Sequence, residues 1–155
     1  VIWYSKCRFS NLPISENLCI EIATILRLTT GEPLFQDRIA MLPLAKNGVL
    51  LLRQNDAIVG SLLWMKTNSS TARILGFGVH PELQGKGYGT ECWNMLTAEL
   101  LKQKIIQVTL EVRESNTNAI NFYRSKGLIP KGWIENYYQE ERGVLMEQRI
   151  KTENS

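Results

Sequence analysis

Apolar positions recur with two different periods along this chain, and the switches between them mark its elements. In the middle, Ile106, Val108, Leu110 and Val112 alternate with Gln107, Thr109, Glu111 and Arg113. A period of two predicts a strand with one face in a core. Just before it, Gly89–Lys104 carries Cys92, Trp93, Leu96, Leu100 and Leu101 at the spacing of one buried helix face. Just after it, Ser115-Asn116 supplies a cap for a second helix that runs through Lys126 and closes at Gly127. Strand, helix and strand in that order imply a right-handed crossover and a partly parallel sheet.

The flanks read as a meander. Ile2 to Phe9 mixes aromatic and polar residues, as an edge strand does, and Leu12-Pro13 breaks it. Ser15 caps a helix carrying Leu18, Ile20, Ile22, Ile25 and Leu28, closed near Gly31, and a weaker helical stretch covers Phe35 to Leu44. Val49–Arg53 and Ile58–Met65 form a hairpin across Asn55-Asp56. After a turn in Thr67–Ser70, a third strand, Ala72–Val79, stops at Pro81. Lys131–Tyr138 and Gly143–Ile150 close the chain as a hairpin with the charged turn Gln139–Arg142. The expectation is an α+β sandwich on a mixed central sheet, with no internal repeat and no interdomain linker.

Composition narrows the function classes. The 155 residues are 44% hydrophobic and 21% charged, with 11 glycines and 5 prolines, enough apolar content for one core without disulfide or metal staples. Eighteen basic against fifteen acidic side chains give a net charge of +3. No Lys/Arg run exceeds two residues, so no nucleic-acid arm is expected. Cys7, Cys19 and Cys92 show no C-x-x-C spacing, and the single histidine, His80, excludes a two-histidine metal face. Apolar runs such as Val49–Leu52 and Leu62–Met65 are too short to span a membrane. No basic-then-apolar leader opens the chain, although position 1 is Val, and a cytoplasmic protein is expected.

Candidate chemistry concentrates in Gln84-Gly85-Lys86-Gly87-Tyr88-Gly89-Thr90, which lies between a strand and a helix. Glycines there permit positive φ and close approach of a ligand, and a helix N-terminus behind them makes a concavity suited to phosphate. A plain glycine turn with no ligand is the alternative. The phosphate loop G-x-x-x-x-G-K-[ST] is absent, and G-x-G-x-x-G fails because Thr90 or Cys92 stands where the third small residue belongs. Glu111 does follow at about the distance of a ribose-binding acid. The loop favours a phosphate-bearing cofactor of another kind.

The stretch Val79-His80-Pro81-Glu82-Leu83-Gln84-Gly85-Lys86-Gly87-Tyr88-Gly89 resembles the V-x-P-x-x-[QR]-x-x-G-x-[GA] signature of the GNAT superfamily of acetyl-CoA-dependent N-acetyltransferases. The resemblance extends through Leu110-Glu111-Val112-Arg113-Glu114-Ser115-Asn116, Ala119, Phe122-Tyr123, Gly127-Leu128, Asn136-Tyr137-Tyr138 and Val144-Leu145-Met146, covering about residues 49–150. The L-E-V-R-x-S-N block and the N-Y-Y hairpin are most similar to ribosomal-protein-alanine and other protein N-terminal acetyltransferases. It implies a mostly antiparallel sheet of about seven strands with a parallel splayed pair, flanked by about four helices. It also implies one domain over 1–155, with 1–48 as an acceptor-side helical region and 49–150 as the cofactor-binding and catalytic core.

Carried onto these positions, the resemblance implies that backbone N–H groups of Gln84, Gly85, Lys86, Gly87, Tyr88, Gly89 and Thr90 hold the CoA pyrophosphate. Phe77, Gly78 and Val79 would pair with the pantetheine and aim an amide at the thioester carbonyl. Gly76 and Gly78 break that strand as a bulge or a close ligand approach would. Glu111 matches the base that deprotonates the amine, and Tyr123 the acid that protonates the departing thiolate. Asn116 matches a cofactor-contacting asparagine and is equally a helix cap. Tyr137 and Tyr138 face opposite sides of a strand, so one would pack while the other lines an acceptor groove.

Other residues take plainer readings. Cys92 is read as core rather than as a covalent nucleophile, and Trp64 and Met65 as core; His80 is read as an exposed turn residue that could serve as an alternative base. The implied reaction is direct acetyl transfer from acetyl-CoA to a primary amine, foremost the N-terminal α-amine of a protein such as a ribosomal protein. A small amine (polyamine, amino acid or antibiotic) and a non-catalytic acyl-CoA-binding regulatory module are the alternatives. No metal, nucleic-acid or membrane partner is expected, and the chain would be a monomer or homodimer. Gly76-Phe77-Gly78-Val79 departs from the Asn-Ile-[Ala/Cys]-Val of N-terminal acetyltransferases, and no Pro-Trp element is evident around Pro33-Leu34-Phe35. Both differences touch the acceptor side.

Overall fold

A computed structural model of the chain describes residues 1–6, 14–138 and 140–150. Seven strands form one sheet in the order β1-β2-β3-β4-β5-β7-β6. They are β1 (Ile2–Lys6), β2 (Val49–Gln54), β3 (Ala57–Asn68), β4 (Thr71–Val79), β5 (Gln107–Arg113), β6 (Ile129–Tyr138) and β7 (Glu141–Arg149). Four α-helices accompany them among the described residues: α1 (Glu16–Thr30), α2 (Gln36–Met41), α3 (Tyr88–Lys102) and α4 (Thr117–Ser125). This is the mixed α+β architecture expected. The break at Leu12-Pro13, Cys7, and the end of the first strand at Phe9 lie outside the described residues, as does Gln139.

Chain contacts divide the molecule into two compact units, and β3, β4 and α3 each pass from one to the other. The first comprises Val1–Met65 with Gly76–Glu99. Its core holds Ile22, Leu26, Ile39, Leu51, Leu62, Leu63, Trp64 and Leu96, all fully buried. Helix α1 starts where the Ser15 side chain accepts from the Leu18 N–H and ends at Gly31 with φ 71°. A cap of this kind contributes about 1 kcal/mol. The weak helical stretch shrinks to the six residues of α2, whose Phe35 N-cap makes no side-chain hydrogen bond. Without a cap or a long apolar stripe, little extends that helix. Met65 is half-buried.

The second unit comprises Lys66–Leu75 with Leu100–Ser155. Here β4 and β5 form the one parallel ladder among the described residues, from Thr71↔Gln107 to Ile74↔Leu110, and β5 pairs antiparallel with β7 from Gln107↔Arg149 to Arg113↔Gly143. The parallel ladder ends at Leu110, whereas β5 continues to Arg113 against β7 alone. Glu111 is therefore the first residue of β5 beyond the last parallel pair, Ile74↔Leu110. The alternating burial of β5, with Val108, Leu110 and Val112 inward, is the period read from the sequence.

Two expected turns are tighter than their sequences suggest. Strand β3 runs on to Asn68, leaving Ser69-Ser70 as the turn before β4, and Asn68 Oδ1 accepts from the Ser70 N–H. In the β6–β7 hairpin Tyr138 already pairs with Glu141. No described helix is long and apolar enough to cross a membrane.

Candidate active site

In the first unit, the site region begins where β4 ends. His80 caps a short 3-10 turn, Pro81–Leu83; its Nδ1 accepts from the Glu82 N–H and its own N–H donates to the Val59 carbonyl. The histidine is a half-exposed turn residue with one ring nitrogen already engaged. Gln84 then donates its side-chain N–H to the Val79 carbonyl at 2.9 Å, tying the glycine loop back to the end of β4. Gly85 and Gly87 have φ of 75° and 89°, and a Cβ added at either would meet nothing within 4 Å. Backbone conformation, not crowding, demands glycine at both. The loop they turn leads directly into the N-terminus of α3, where the Glu91 N–H donates to the Gly87 carbonyl at 3.0 Å.

The glycines of β4 have another cause. A Cβ at Gly78 would lie 1.9 Å from Thr29 Oγ1, and one at Gly76 would lie 2.9 Å from Leu26 Cδ1. Thr29 itself is held by donating to the Ile25 carbonyl at 2.9 Å. The space a side chain would fill belongs to α1, so helix packing accounts for both glycines where the sequence suggested a bulge or a close ligand approach.

The second unit carries the side-chain candidates. Glu111 forms an ion pair with Arg73, and the two side chains retain 24% and 40% exposure. Arg73 stands opposite Thr109 in the parallel register, so its guanidinium reaches diagonally to Glu111, two residues on. This partner was missed in the sequence; both residues interrupt apolar runs, but only the β4–β5 register shows that they meet. Tyr123 is buried in α4 at 6% exposure, with Phe122 edge-on at 5.7 Å. Asn116 caps α4 through Oδ1, which accepts from the Ala119 N–H at 3.2 Å, so its structural role is present.

Between Glu111 and Asn116 the chain is latched to the β6–β7 hairpin. The Ser115 N–H donates to Glu141 Oε1 at 2.6 Å, the Glu114 N–H donates to the Arg142 carbonyl, and Arg142 grips the Glu114 carboxylate with two N–H donors at 3.0 and 3.2 Å. The Ser115 hydrogen bonds hold the Glu141 carboxyl below its ordinary range. Arg142 also stacks on the exposed Trp133 ring at 4.2 Å.

In the hairpin, Asn136 has φ 52° and the β6–β7 register shifts between Ile134 and Tyr138. Such a bulge re-aims the residues that follow. Tyr137 lies over Gly143, where an added Cβ would sit 2.7 Å from the ring, and Tyr138 stacks against the Arg113 guanidinium at 5.1 Å. Both tyrosines are half-buried, each with a distinct neighbour.

Cys92 is fully buried, and burial pushes its thiol well above the ordinary value. It is core, with too little thiolate to act as a nucleophile.

The fold recurs among solved structures. Solved structures of like fold include Ard1 from Thermoplasma volcanium, at 23% identity and TM-score 0.79 over 91% of this chain and 97% of that one. The ribosomal-protein-S18-alanine N-acetyltransferase from Escherichia coli gives 23% and 0.76 over 93% and 96%. An aminoglycoside 6'-N-acetyltransferase complexed with coenzyme A gives 17% and 0.73 over 98% of each chain. No curated protein sequence matches. At these identities the structural likeness is one of fold, but the model of the acetyltransferase (GNAT) family matches residues 20–128. The chain belongs to that family and is an acetyl-CoA-dependent N-acetyltransferase.

Proposed function

We propose that the chain acetylates the N-terminal α-amine of a protein, with Glu111 as base, Tyr123 as acid, and Tyr137 and Tyr138 shaping the acceptor side. The observation that carries this reading is the latch. Glu141 and Arg142, just past the two tyrosines, hold Glu114 and Ser115, which lead from Glu111 to the helix bearing Tyr123. Acceptor and proton-transfer candidates are thereby braced together within one compact unit.

Acetyl-CoA supplies the thioester, and the glycine loop and Asn116 would hold it. An α-amine with an ordinary pKa of about 7.7–8.0 must be deprotonated before it attacks. Glu111 takes that proton, directly or through a water, while Arg73 holds the carboxylate in one orientation. As the new C–N bond forms and the C–S bond breaks, the Tyr123 hydroxyl would deliver a proton to the departing sulfur, and the second proton lost by the nitrogen would restore the phenol. Stabilising the thioester oxygen would fall to the amides of Phe77–Val79, and a single oxyanion donor is worth about 10²–10³ in rate.

Removing one oxygen tests the acid. Tyr123→Phe should lower kcat by about 10²-fold with acetyl-CoA affinity nearly unchanged; undiminished turnover excludes Tyr123. A panel of peptides with varied N-termini, followed by CoA release, tests the acceptor.

A small-amine acceptor is the second reading. The direct Tyr138↔Glu141 pairing leaves a turn of only two residues to cover a peptide, and an aminoglycoside acetyltransferase shares the fold. Turnover of small amines with none on peptides would select it.

A further inference from the structure

Trp3 lies in the segment that the motif resemblance does not reach, yet it is almost completely buried, at 5% exposure. Its indole touches both segments of the first unit assigned to the cofactor. The ring stacks on Phe77 with centroids 6.4 Å apart and planes at 21°. Its Nε1–H donates to the Tyr88 carbonyl at 2.8 Å, across 85 residues of chain. A Cβ at Gly60 would come within 3.2 Å of the far edge of the indole, so the ring is seated closely against β3.

The acceptor of that bond matters. Tyr88 is the first residue of α3, and its carbonyl belongs to the same planar trans peptide unit as the Gly89 N–H. In such a unit the carbonyl and the N–H point in opposite directions, so a donor that fixes one fixes the other. A carbonyl oxygen has two lone pairs, and the indole can use one while the helix uses its own. A donor on the carbonyl also polarises the peptide and strengthens the opposite N–H as a donor.

We infer that Trp3 is a positioning residue for the cofactor loop: its indole N–H, through the Tyr88 carbonyl, aims the Gly89 amide at the pyrophosphate, while its ring seats Phe77. The inference rests on the glycine loop being the CoA site. It gives the first strand a part in cofactor binding.

The chain contains its own control. Trp64 is likewise buried in the first unit and donates its Nε1–H to a backbone carbonyl, that of Asn47, at 3.1 Å. Trp3→Phe and Trp64→Phe should both lower Tm. Only Trp3→Phe should weaken CoA binding, measured by calorimetry, and raise the KM for acetyl-CoA, by about three- to tenfold, the range expected for one lost hydrogen bond. Its kcat should be nearly unchanged.

Should Trp3→Phe fail to fold, 3-benzothienylalanine at position 3 keeps the ring and removes only the donor. The same selective rise in Kd is expected. Equal effects at both tryptophans, or wild-type CoA affinity after loss of the Trp3 donor, would overturn the inference. A wild-type chain that binds no CoA would instead overturn the reading of the loop beneath it.

Discussion

The glycine loop of the first unit and the latched end of β5 in the second solve different problems with different parts of the chain. The loop depends on backbone: Gly85 and Gly87 turn with positive φ, and the side chains of Gln84 and Trp3 hold main-chain carbonyls. The end of β5 depends on side chains: Arg73 on Glu111, Arg142 on Glu114, Glu141 on the Ser115 amide and Arg113 against Tyr138. A diphosphate offers many equivalent oxygens and is well served by a row of N–H groups. Proton transfer needs one atom of the right basicity in one place. Added carbons should therefore damage the first unit, and removed heteroatoms the second.

After loss of the Tyr123 hydroxyl, the largest effect is expected at Gly78. With Thr29 Oγ1 1.9 Å from the new methyl, Gly78→Ala must push α1 or β4 aside. Overpacking of this kind costs about 1–3 kcal/mol. Thermal unfolding should show it, and Thr29→Ala in the same chain should restore part of the loss. A Gly78→Ala protein as stable as wild type would break the packing account of that glycine.

Gly87 comes next. At φ 89° an alanine is strained although space is open, and a left-handed L-residue costs about 1–2 kcal/mol. If the loop relaxes to escape that strain, Gly87→Ala should raise the KM for acetyl-CoA about tenfold and leave kcat nearly unchanged. Gly87→Asn should do less, because asparagine tolerates that conformation. A change in kcat alone would put the loop in chemistry rather than in binding.

The smallest effect belongs to the latch. The folded Glu141 carboxyl is held below its unfolded value by Ser115, so its contribution is present above the ordinary glutamate range and is lost as pH falls through the lowered value. Glu141→Gln should thus be slightly less stable than wild type at neutral pH, with the gap closing in acid. Parallel curves across pH would remove Glu141 from the latch.

Much of the fold was legible because local signals agreed with the tertiary outcome. Ser15 and Gly31 mark both ends of α1, Asn116 and Gly127 bracket α4, and β5 alternates cleanly. The V-x-P-x-x-[QR] stretch located the loop, since its glycines and Gln84 act within a few residues of one another. Short α2 and the prolonged β3 were less legible: Pro43 stops α2 although apolar residues run on to Leu44, and the last residues of β3, Lys66 to Asn68, are exposed and carry no apolar alternation.

What the amino-acid order determined by itself was therefore local: strand and helix periods, caps, the conformation demanded of Gly85 and Gly87, and the candidacy of Glu111 and Tyr123. The tertiary structure decided every relation that needs register. Arg73 meets Glu111 only because β4 and β5 run parallel with Arg73 opposite Thr109. Gly78 is required because α1 brings Thr29 onto it, 49 positions earlier in the chain. Trp3 reaches Tyr88 across 85 positions. Periodicity reports which face of an element is apolar, but contacts between distant elements depend on how those faces are brought together, and no window of sequence contains that.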